Sequence, residues 1–209
     1  MSGADRSPSK RLSLEVGSAW RPVAGYSACG DVCAVVPSAS GTLLCLADGL
    51  GHGDAAHAAA QVACDHARAH EGEALEPLLR GMDAALSGTR GAAVSLLAIQ
   101  PGARRALFAG VGNVELRAVA RERIAAPTLP GIVGRGLRKV RVWDNPLAEG
   151  DVLVLFSDGI SSRFDLDALV LAHLAPQALA EALLAGYNKA HDDASCMVAK
   201  LVPVVSSSG

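Results

Sequence analysis

The chain has 209 residues, a length that suits one domain with a sizeable hydrophobic core. Hydrophobic residues make up 50% of it but aromatic residues only 3%, so the core must be built mainly from Ala, Val and Leu. The formal net charge of -2 gives no reason to expect nucleic acid or an anionic membrane as a partner.

The five cysteines are expected to be reduced. Their number is odd, and most lie in apolar runs, where a free thiol behaves as a small hydrophobic side chain. Cys29 and Cys33 lack the second Cys or His pair that a zinc site needs. The N-terminus has no signal-peptide pattern, and no run reaches the roughly 18 apolar residues of a membrane span. We therefore expect a cytoplasmic protein.

In chain order, the first half of the sequence predicts strands followed by two helices. Alternating and continuous apolar runs mark strands at residues 12–16, 31–36 and 41–47. The last two strands form a hairpin, because the residues between them are rich in turn formers. An alanine-rich helix has Asp54 as its N-cap and runs to about residue 70, and a second helix covers about 75–86.

The second half predicts more strands, with a loop rich in Gly and Pro at 127–136. Its strands are expected at residues 92–99, 104–109, 114–119, 138–143, 151–157 and 194–202. Helices are expected at 166–172 and 176–190. Hairpin-linked strands with helix pairs between them indicate an α+β fold with antiparallel sheets and helices on the outer faces. We expect one domain at 11–203 with flexible tails at 1–10 and 204–209.

Two of the predicted strands end in the same way, with an aspartate and then a glycine. One apolar run ends at Asp48-Gly49, and a later one ends at Asp158-Gly159. A strand that is apolar at every position is buried on both faces, so the aspartate at its end is held at the rim of the core. Two such strand ends in one chain suggest paired ligands for a hard cation.

Other aspartates lie where strands begin. Asp31 opens one predicted strand, and Asp192 with Asp193 precedes the last one. In an antiparallel pair the end of one strand lies beside the start of its neighbour, so all of these carboxylates can converge on one edge of the sheets. Such crowding is costly unless cations neutralise it. Ligation by oxygen alone suits Mg²⁺ or Mn²⁺, whereas zinc would want His or Cys.

This carboxylate set favours phosphoester hydrolysis. Two such ions sharing a bridging carboxylate can lower the pKa of a bound water and hold a phosphoryl group for in-line attack. The glycine-rich loop Asp48-Gly49-Leu50-Gly51-His52-Gly53 adds backbone groups that could face a metal, its waters or phosphate. The alternative is that each acid merely caps a strand or a turn.

Taken together, the motifs resemble the PPM family of metal-dependent protein serine/threonine phosphatases. Within it they resemble the bacterial branch related to SpoIIE, RsbU and RsbX, and RsbX most of all. The motifs come in the family's order and extend over about residues 25–200. The matching pieces are Cys29-Gly30-Asp31, Ala47-Asp48-Gly49-Leu50-Gly51-His52-Gly53, Gly110-Val111-Gly112-Asn113-Val114, Gly150-Asp151, Phe156-Ser157-Asp158-Gly159-Ile160 and Asp192-Asp193-Ala194-Ser195.

The resemblance implies a four-layer αββα sandwich with two Mn²⁺ or Mg²⁺ ions at the edge between two antiparallel sheets. Asp48 would bridge both ions. Asp158 and Asp192 would complete one metal site, and Asp31 with the Gly49 carbonyl would serve the other. Water would attack the phosphoryl group directly, with no phosphoenzyme intermediate.

The sequence departs from the family at two places. Leu50 stands where many eukaryotic members have a His directly after Asp-Gly, a candidate general acid. His52 could supply the proton instead, the alternative being a loop histidine that caps the following helix. No basic residue lies between Arg21 and Asp31, where those members keep a phosphate-binding Arg.

Several further residues are given structural roles. Asp193 matches a variable position, so we place it beside the metal ligands rather than among them. Asn113 is expected to shape a glycine turn, with contact to substrate as the alternative. His57 and His66 are expected at the helix surface, and Trp20 is expected to pack against the core or a sheet edge.

The function implied by the resemblance is hydrolysis of phosphoserine or phosphothreonine on STAS-domain partner proteins. The protein would act as a feedback regulator of a stressosome or partner-switching stress response, as a monomer. A pseudophosphatase that only binds a partner is one alternative, although all four acidic positions are present. A generic PPM phosphatase of an anti-sigma-factor antagonist is another.

Overall fold

The computed structural model describes residues 11–204, and within them the apolar runs form strands of two antiparallel sheets. The strands are β1 (Leu12–Arg21), β2 (Asp31–Ser38), β3 (Gly41–Gly49), β4 (Ala92–Gln100), β5 (Arg105–Val111), β6 (Glu115–Val119), β7 (Trp143–Pro146), β8 (Val152–Phe156) and β9 (Ala194–Pro203). The helices are α1 (Asp54–Ala69), α2 (Leu75–Ala85), α3 (Leu166–Leu171) and α4 (Pro176–Tyr187). The predicted tails lie outside the described residues, apart from Val204.

The two sheets pack face to face, and helices cover their outer faces. One sheet has the strand order β1-β9-β8-β6 and the other has the order β2-β3-β4-β5-β7. Helices α1 and α2 pack on the five-stranded sheet, and α3 and α4 pack on the four-stranded sheet. The predicted α+β class and the four-layer αββα sandwich are confirmed.

Strand β3 shows why one run of sequence is apolar at every position. Leu44 and Leu46 face the other sheet, whereas Cys45 and Ala47 face the helices. Successive side chains of a strand point to opposite faces, so a strand at the centre of the sandwich is buried on both. Asp48 continues the face of Leu44 and Leu46, which places it at the edge of the space between the sheets.

Helix α1 packs closely on its sheet because its buried face is made of small side chains. The buried residues are Ala56, Ala59, Ala60, Ala63, Cys64 and Ala67. The helix begins after Gly53, so the prediction of Asp54 as its N-cap is wrong. Gly53 has a φ of 72°, and a Cβ there would lie 2.9 Å from the ring of Tyr26. Glycine alone fits this conformation and this contact, and Asp54 becomes the first helical residue.

Strand β1 is longer than predicted and carries an exposed tryptophan. It pairs with β9 over its whole length, from Leu12 opposite Pro203 to Arg21 opposite Ala194. Trp20 lies near the end of this edge strand and is 59% exposed, so of the two positions expected for it, the core and a sheet edge, it occupies the sheet edge.

The histidines His57 and His66 of α1 are partly buried rather than at the surface. The Nδ1 atom of His57 hydrogen-bonds with the Cys29 carbonyl at 2.8 Å, which ties the helix to the loop before β2. The ring of His66 stacks on that of His70, with 3.9 Å between ring centroids.

The strand predicted at 138–143 is wrong. The strand that forms is β7, and it pairs with β5 from Trp143 opposite Phe108 to Pro146 opposite Arg105. The residues before it follow an irregular path that is held by a carboxylate of α2. Asp83 accepts hydrogen bonds from the backbone N–H groups of Gly134, Gly136 and Leu137 at 2.6, 3.1 and 2.8 Å.

Replacing Asp83 by Ala is expected to lower the free energy of unfolding by about 1–2 kcal/mol, because three backbone donors lose their acceptor. Burial alone would raise the pKa of Asp83, but these hydrogen bonds outweigh it and hold the pKa below the ordinary value. The stabilisation should therefore be present above about pH 4 and lost as the pH falls below it.

Urea unfolding at about pH 7 and about pH 3 measures this effect. The matched control is Asp144→Ala, which breaks an exposed ion pair with Arg105 and should leave the stability nearly unchanged. An equal loss for Asp83→Ala at both pH values would contradict the assigned role of the carboxylate.

Candidate metal centre

Two of the predicted site residues lie opposite each other in the five-stranded sheet. Asp31, the first residue of β2, pairs in register with Asp48, near the end of β3. The structure thus places one strand start beside one strand end, as expected for antiparallel neighbours. Asp31 is buried, with 4% of its surface exposed.

The other two lie at the same edge of the four-stranded sheet. Strand β8 ends just before Ser157, whose N–H donates to the Ser195 carbonyl of β9 at 3.0 Å. Asp158 follows Ser157, and Asp192 precedes β9. The loops that carry Asp158 and Asp192 are in close contact. A Cβ added to Gly159 would lie only 1.7 Å from the backbone oxygen of Asp193.

Ser195 connects the two sheets at this edge. Its buried hydroxyl donates to Oδ2 of Asp31 at 2.8 Å, and its backbone N–H donates to the Ser157 hydroxyl at 3.0 Å. Ser195 belongs to one of the motifs that resemble the family, but the sequence alone indicates no role for it. Nothing in a single sequence indicates that a serine of one sheet reaches a carboxylate of the other.

The carboxylates are close enough to perturb one another. Burial raises the pKa of Asp48 to about 9, and the negative charges of Asp31, Asp158 and Asp192 contribute to the increase. Burial likewise raises the pKa of Asp31 to about 6, with Asp193 and Asp158 adding to it and the serine hydrogen bonds opposing it. The pKa of Asp192 is raised too, first by burial and then by Asp158.

These residues fit an all-oxygen site for a divalent cation. Oδ1 of Asp31 is buried and has no hydrogen-bond partner, although a carboxylate oxygen in that position needs a donor or a cation. Among residues 11–204, no three His, Cys, Asp or Glu side chains already form a coordination sphere. The acidic side chains therefore lie near Asp48, and they would have to move closer together to coordinate one cation.

The glycine-rich loop after β3 is fixed by its neighbours. The N–H of Gly49 donates to the Gly30 carbonyl at 3.1 Å, and the N–H of Leu50 donates to the Gly91 carbonyl at 3.0 Å. A Cβ at Gly49 would lie 2.0 Å from the Ala56 carbonyl oxygen, so the first turn of α1 requires glycine there. These contacts hold the backbone of the loop beside Asp48.

His52, the predicted proton donor, is exposed. Its ring contacts that of Tyr26, with 4.5 Å between centroids. Both rings border a cavity of about 370 Å³ that Arg90 also lines. The histidine is thus accessible to a large substrate.

Two residues, Asn113 and Lys189, contact Asp158 directly. The side-chain amide of Asn113 donates to Oδ2 of Asp158 at 2.6 Å, which is more than the turn-forming role expected for it. The Lys189 ammonium donates to the Asp158 carbonyl, and Arg21 in turn donates to the Lys189 carbonyl at 2.7 Å. The loop after β8 is thereby held from two sides.

Asp193 lies beside the candidate ligands. Its Oδ1 accepts from the N–H of Val23 at 2.9 Å, whereas its Oδ2 is buried without a hydrogen-bond partner and faces Gly30. It therefore attaches the loop between β1 and β2 to the start of β9.

Replacing Ser195 by Ala is expected to weaken Mn²⁺ binding about tenfold, because Asp31 loses the hydroxyl that orients it. Isothermal titration with Mn²⁺ measures the change. The matched control Ser161→Ala alters a serine hydroxyl that accepts from the nearby Arg163 N–H, away from the aspartates, and it should leave the affinity unchanged. Equal affinities for wild type and Ser195→Ala would contradict an orienting role.

Comparison with family models decides the family of the chain. The model described as Stage II sporulation protein E (SpoIIE) matches residues 38–202. The chain belongs to the SpoIIE family. The matched span includes Asp48, Asp158 and Asp192, whereas Asp31 lies just before it. A comparison with curated protein sequences gives no significant match.

Solved structures share the fold of this SpoIIE-family chain. A chain from the bacterial stressosome, described as a modular system that has been adapted to control secondary messenger signaling, is 29% identical, with a TM-score of 0.86 over 90% of this chain and 100% of that one. RsbX in complex with magnesium is 20% identical, with a TM-score of 0.81 over 90% and 95%. The catalytic domain of the serine/threonine protein phosphatase PstP with 2 manganese ions is 16% identical, with a TM-score of 0.68 over 91% and 99%.

These likenesses confirm the PPM phosphatase fold and the predicted relationship to SpoIIE and RsbX. No helix among residues 11–204 is long and apolar enough to cross a membrane.

Proposed function

We propose that this SpoIIE-family protein is a metal-dependent phosphatase of phosphoserine and phosphothreonine. The observation that carries the proposal is the convergence of strand-end aspartates around Asp48. Burial of Asp48, together with three nearby carboxylates, raises its pKa to about 9. Carboxylates crowded in this way are stabilised by divalent cations.

The proposed ligands are those that the family resemblance implies. Asp48 would contribute to both ion sites, Asp158 and Asp192 would complete one of them, and Asp31 with the Gly49 carbonyl would complete the other. When bound, Mn²⁺ or Mg²⁺ would supply Lewis-acid chemistry, which activates water and offsets the phosphoryl charge. The relatives RsbX and PstP, solved with magnesium and with manganese, support this choice of metals.

The chain's own residues would prepare the ligands. Ser195 orients Asp31 through its hydroxyl, and Asn113 orients Asp158 through its side-chain amide. Lys189 restrains the same loop from its other side. Hydrogen bonds of this kind fix carboxylate geometry before a cation binds, which lowers the cost of assembling the site.

We propose His52 as the group that protonates the leaving oxygen. Replacing His52 by Ala should then lower kcat about tenfold or more on a phosphoprotein. A phosphate ester with a good leaving group, such as an aryl phosphate, needs no proton donor and should be hydrolysed at nearly the wild-type rate. His70→Ala, at the far end of α1, is the matched control. Equal losses on both substrates would contradict a proton-donating role.

The proposed substrates are phosphorylated STAS-domain proteins of a stressosome or partner-switching pathway. This rests on the resemblance to RsbX and on the likeness to a chain from the bacterial stressosome. A cytoplasmic location and a monomeric state are part of the same proposal.

The experiment offers a panel of phosphorylated STAS-domain proteins to the purified protein and measures phosphate release with Mn²⁺ and with a chelator. The proposal predicts release with Mn²⁺ alone. Tight binding of a phosphoprotein without any release, from this panel or from an aryl phosphate, would instead identify a pseudophosphatase.

A further inference from the structure

A strongly basic segment lies between β6 and β7. Residues 123–143 contain five of the 19 Lys and Arg residues and no acidic residue. The other 14 basic residues are set against all 21 acidic ones, so the rest of the chain is distinctly acidic.

The fold brings one end of this segment to the candidate metal centre. Leu129 pairs with Val111, and its carbonyl accepts from the N–H of Gly112, which directly precedes Asn113. Further along, the guanidinium of Arg135 donates to the Arg90 carbonyl at 3.3 Å.

Arg90 extends the positively charged surface of this segment to the glycine-rich loop. A Cβ on Gly51 would lie 2.8 Å from Nη1 of Arg90, so the guanidinium lies directly against the loop that carries Asp48. The same loop is joined to the Arg90 region by the hydrogen bond from Leu50 to Gly91.

The basic side chains beyond Arg135 border a concave surface. Arg135, Arg138 and Lys139 line a cavity of about 390 Å³ whose other walls include Leu129, Ile132 and Leu137. The Asp83 carboxylate fixes the backbone on one side of this cavity, because it accepts hydrogen bonds from Gly134, Gly136 and Leu137. The cavity is therefore held in place by the body of the fold. We call Arg90, Arg135, Arg138 and Lys139 the basic strip.

In the part of the chain that the structure describes, no acidic side chain pairs with the basic strip. Arg68, Arg80 and Arg105 each form an ion pair with an acidic side chain. Among residues 11–204, no ion pair involves any member of the basic strip. The nearby Asp83 accepts from backbone N–H groups, and all four members of the strip are exposed or partly exposed.

We propose that the basic strip docks an acidic segment of the phosphoprotein substrate, next to the phosphoserine or phosphothreonine. This inference rests on the proposed phosphatase function. The basic strip runs from the glycine-rich loop to an adjoining cavity. Its positive charges are complementary to a substrate segment in which carboxylates lie next to the phosphorylated residue. Nucleic acid fits less well, because the strip is short and the rest of the chain is acidic.

The test compares two phosphothreonine peptides that differ only in flanking residues, which are Glu in one and Gln in the other. The readout is the ratio of kcat/KM for the acidic peptide to kcat/KM for the neutral one, with Mn²⁺. Because it is a ratio, partial misfolding of a variant cancels. Wild type should prefer the acidic peptide about tenfold, and the preference should shrink as salt is added.

The variant Arg138→Glu/Lys139→Glu should reduce the ratio to about one or below. The matched control is Arg11→Glu/Arg105→Glu, which makes the same charge change at the opposite end of the sheets and should keep the wild-type ratio. A wild-type ratio near one, or a preference retained by the strip variant, would overturn the inference.

Fluorescence anisotropy of the same peptides separates this inference from the proposed function. If wild type hydrolyses neither peptide nor an aryl phosphate, the phosphatase proposal fails, and tighter binding of the acidic peptide still decides the docking question. Binding of a single-stranded DNA oligonucleotide at least as tight as that of the acidic peptide would overturn docking of a protein segment.

Discussion

Replacing Asp48 by Asn should abolish Mn²⁺-dependent phosphate release and, at the same time, make the metal-free protein more stable. Asp48 is the proposed bridge between the ions, and metal-ion catalysis contributes several kcal/mol, so activity should fall about 1,000-fold or more. Without metal, the same carboxylate is destabilising, because burial and three other aspartates disfavour its charge. Asn is neutral without taking up a proton when the chain folds, so the substitution should raise Tm by about 3 °C or more near neutral pH.

The stability of the metal-free protein should also depend on pH through Asp48. Folding raises the pKa of Asp48 from 3.8 to about 9, so between these values the folded state binds more protons than the unfolded state. The metal-free wild type should therefore lose stability as the pH rises through this window, and Asp48→Asn should lose less. Thermal melts in a chelator and with Mn²⁺ measure both effects.

Asp151 provides the matched control. It is also buried, but its carboxylate accepts from the N–H groups of Arg121 and Ala148 at 2.9 and 2.7 Å, at the other end of β8. Asp151→Asn should destabilise the protein while keeping the rise in Tm with Mn²⁺. An Asp48→Asn protein that gains as much Tm from Mn²⁺ as wild type would contradict the bridging role.

Replacing Gly159 by Ala should have the largest effect on stability. A Cβ there would lie 1.7 Å from the Asp193 carbonyl oxygen and 2.7 Å from its carbon. These are backbone atoms, which cannot rotate away, so the loop after β8 must separate from the loop before β9. We expect a loss of about 3 kcal/mol, a fall in Tm of roughly 6 to 12 °C.

The same substitution should also weaken Mn²⁺ binding, because Asp158 and Asp192 lie on the two loops that move apart. Gly186→Ala is the matched control: it lies in α4 with open space around it and should stabilise the protein by about 0.5–1 kcal/mol. Calorimetric melts distinguish the two variants. A Gly159→Ala protein as stable as wild type would show that this close contact does not exist in solution.

The sequence predicts the architecture well where one residue pattern implies one environment. The continuous apolar run of β3 is found only where both faces of a strand are buried, so the sandwich was predictable. The antiparallel rule then brings a strand start beside a strand end, and the structure pairs Asp31 with Asp48 in register. Carboxylates near each other at one edge could be expected from these facts alone.

Other features could not be predicted, because they depend on partners far away in the chain. Alternation in residues 138–143 identifies two faces but not a neighbouring strand, and β5 pairs instead with Trp143–Pro146. The Asp83 hydrogen bonds that hold the preceding loop join residues more than 50 positions apart. Trp20 has the large apolar side chain of a core residue, but it lies on an edge strand.

The same limit applies to the site. Ser195 and Asn113 hold the carboxylates of Asp31 and Asp158 across long sequence separations. Arg90, just before β4, reaches the glycine-rich loop. The motifs indicated where the acids would gather, but the groups that orient them are visible only in three dimensions. The ligand roles of the aspartates and the proton transfer by His52 remain predictions.

A crystal structure of the protein grown with Mn²⁺, with anomalous diffraction measured at the manganese edge, would show whether the aspartates bind metal. We expect two manganese peaks beside Asp48, one also contacting Asp158 and Asp192 and the other contacting Asp31 and the Gly49 carbonyl. Anomalous density absent from Asp48, or manganese bound only at other residues, would contradict this expectation.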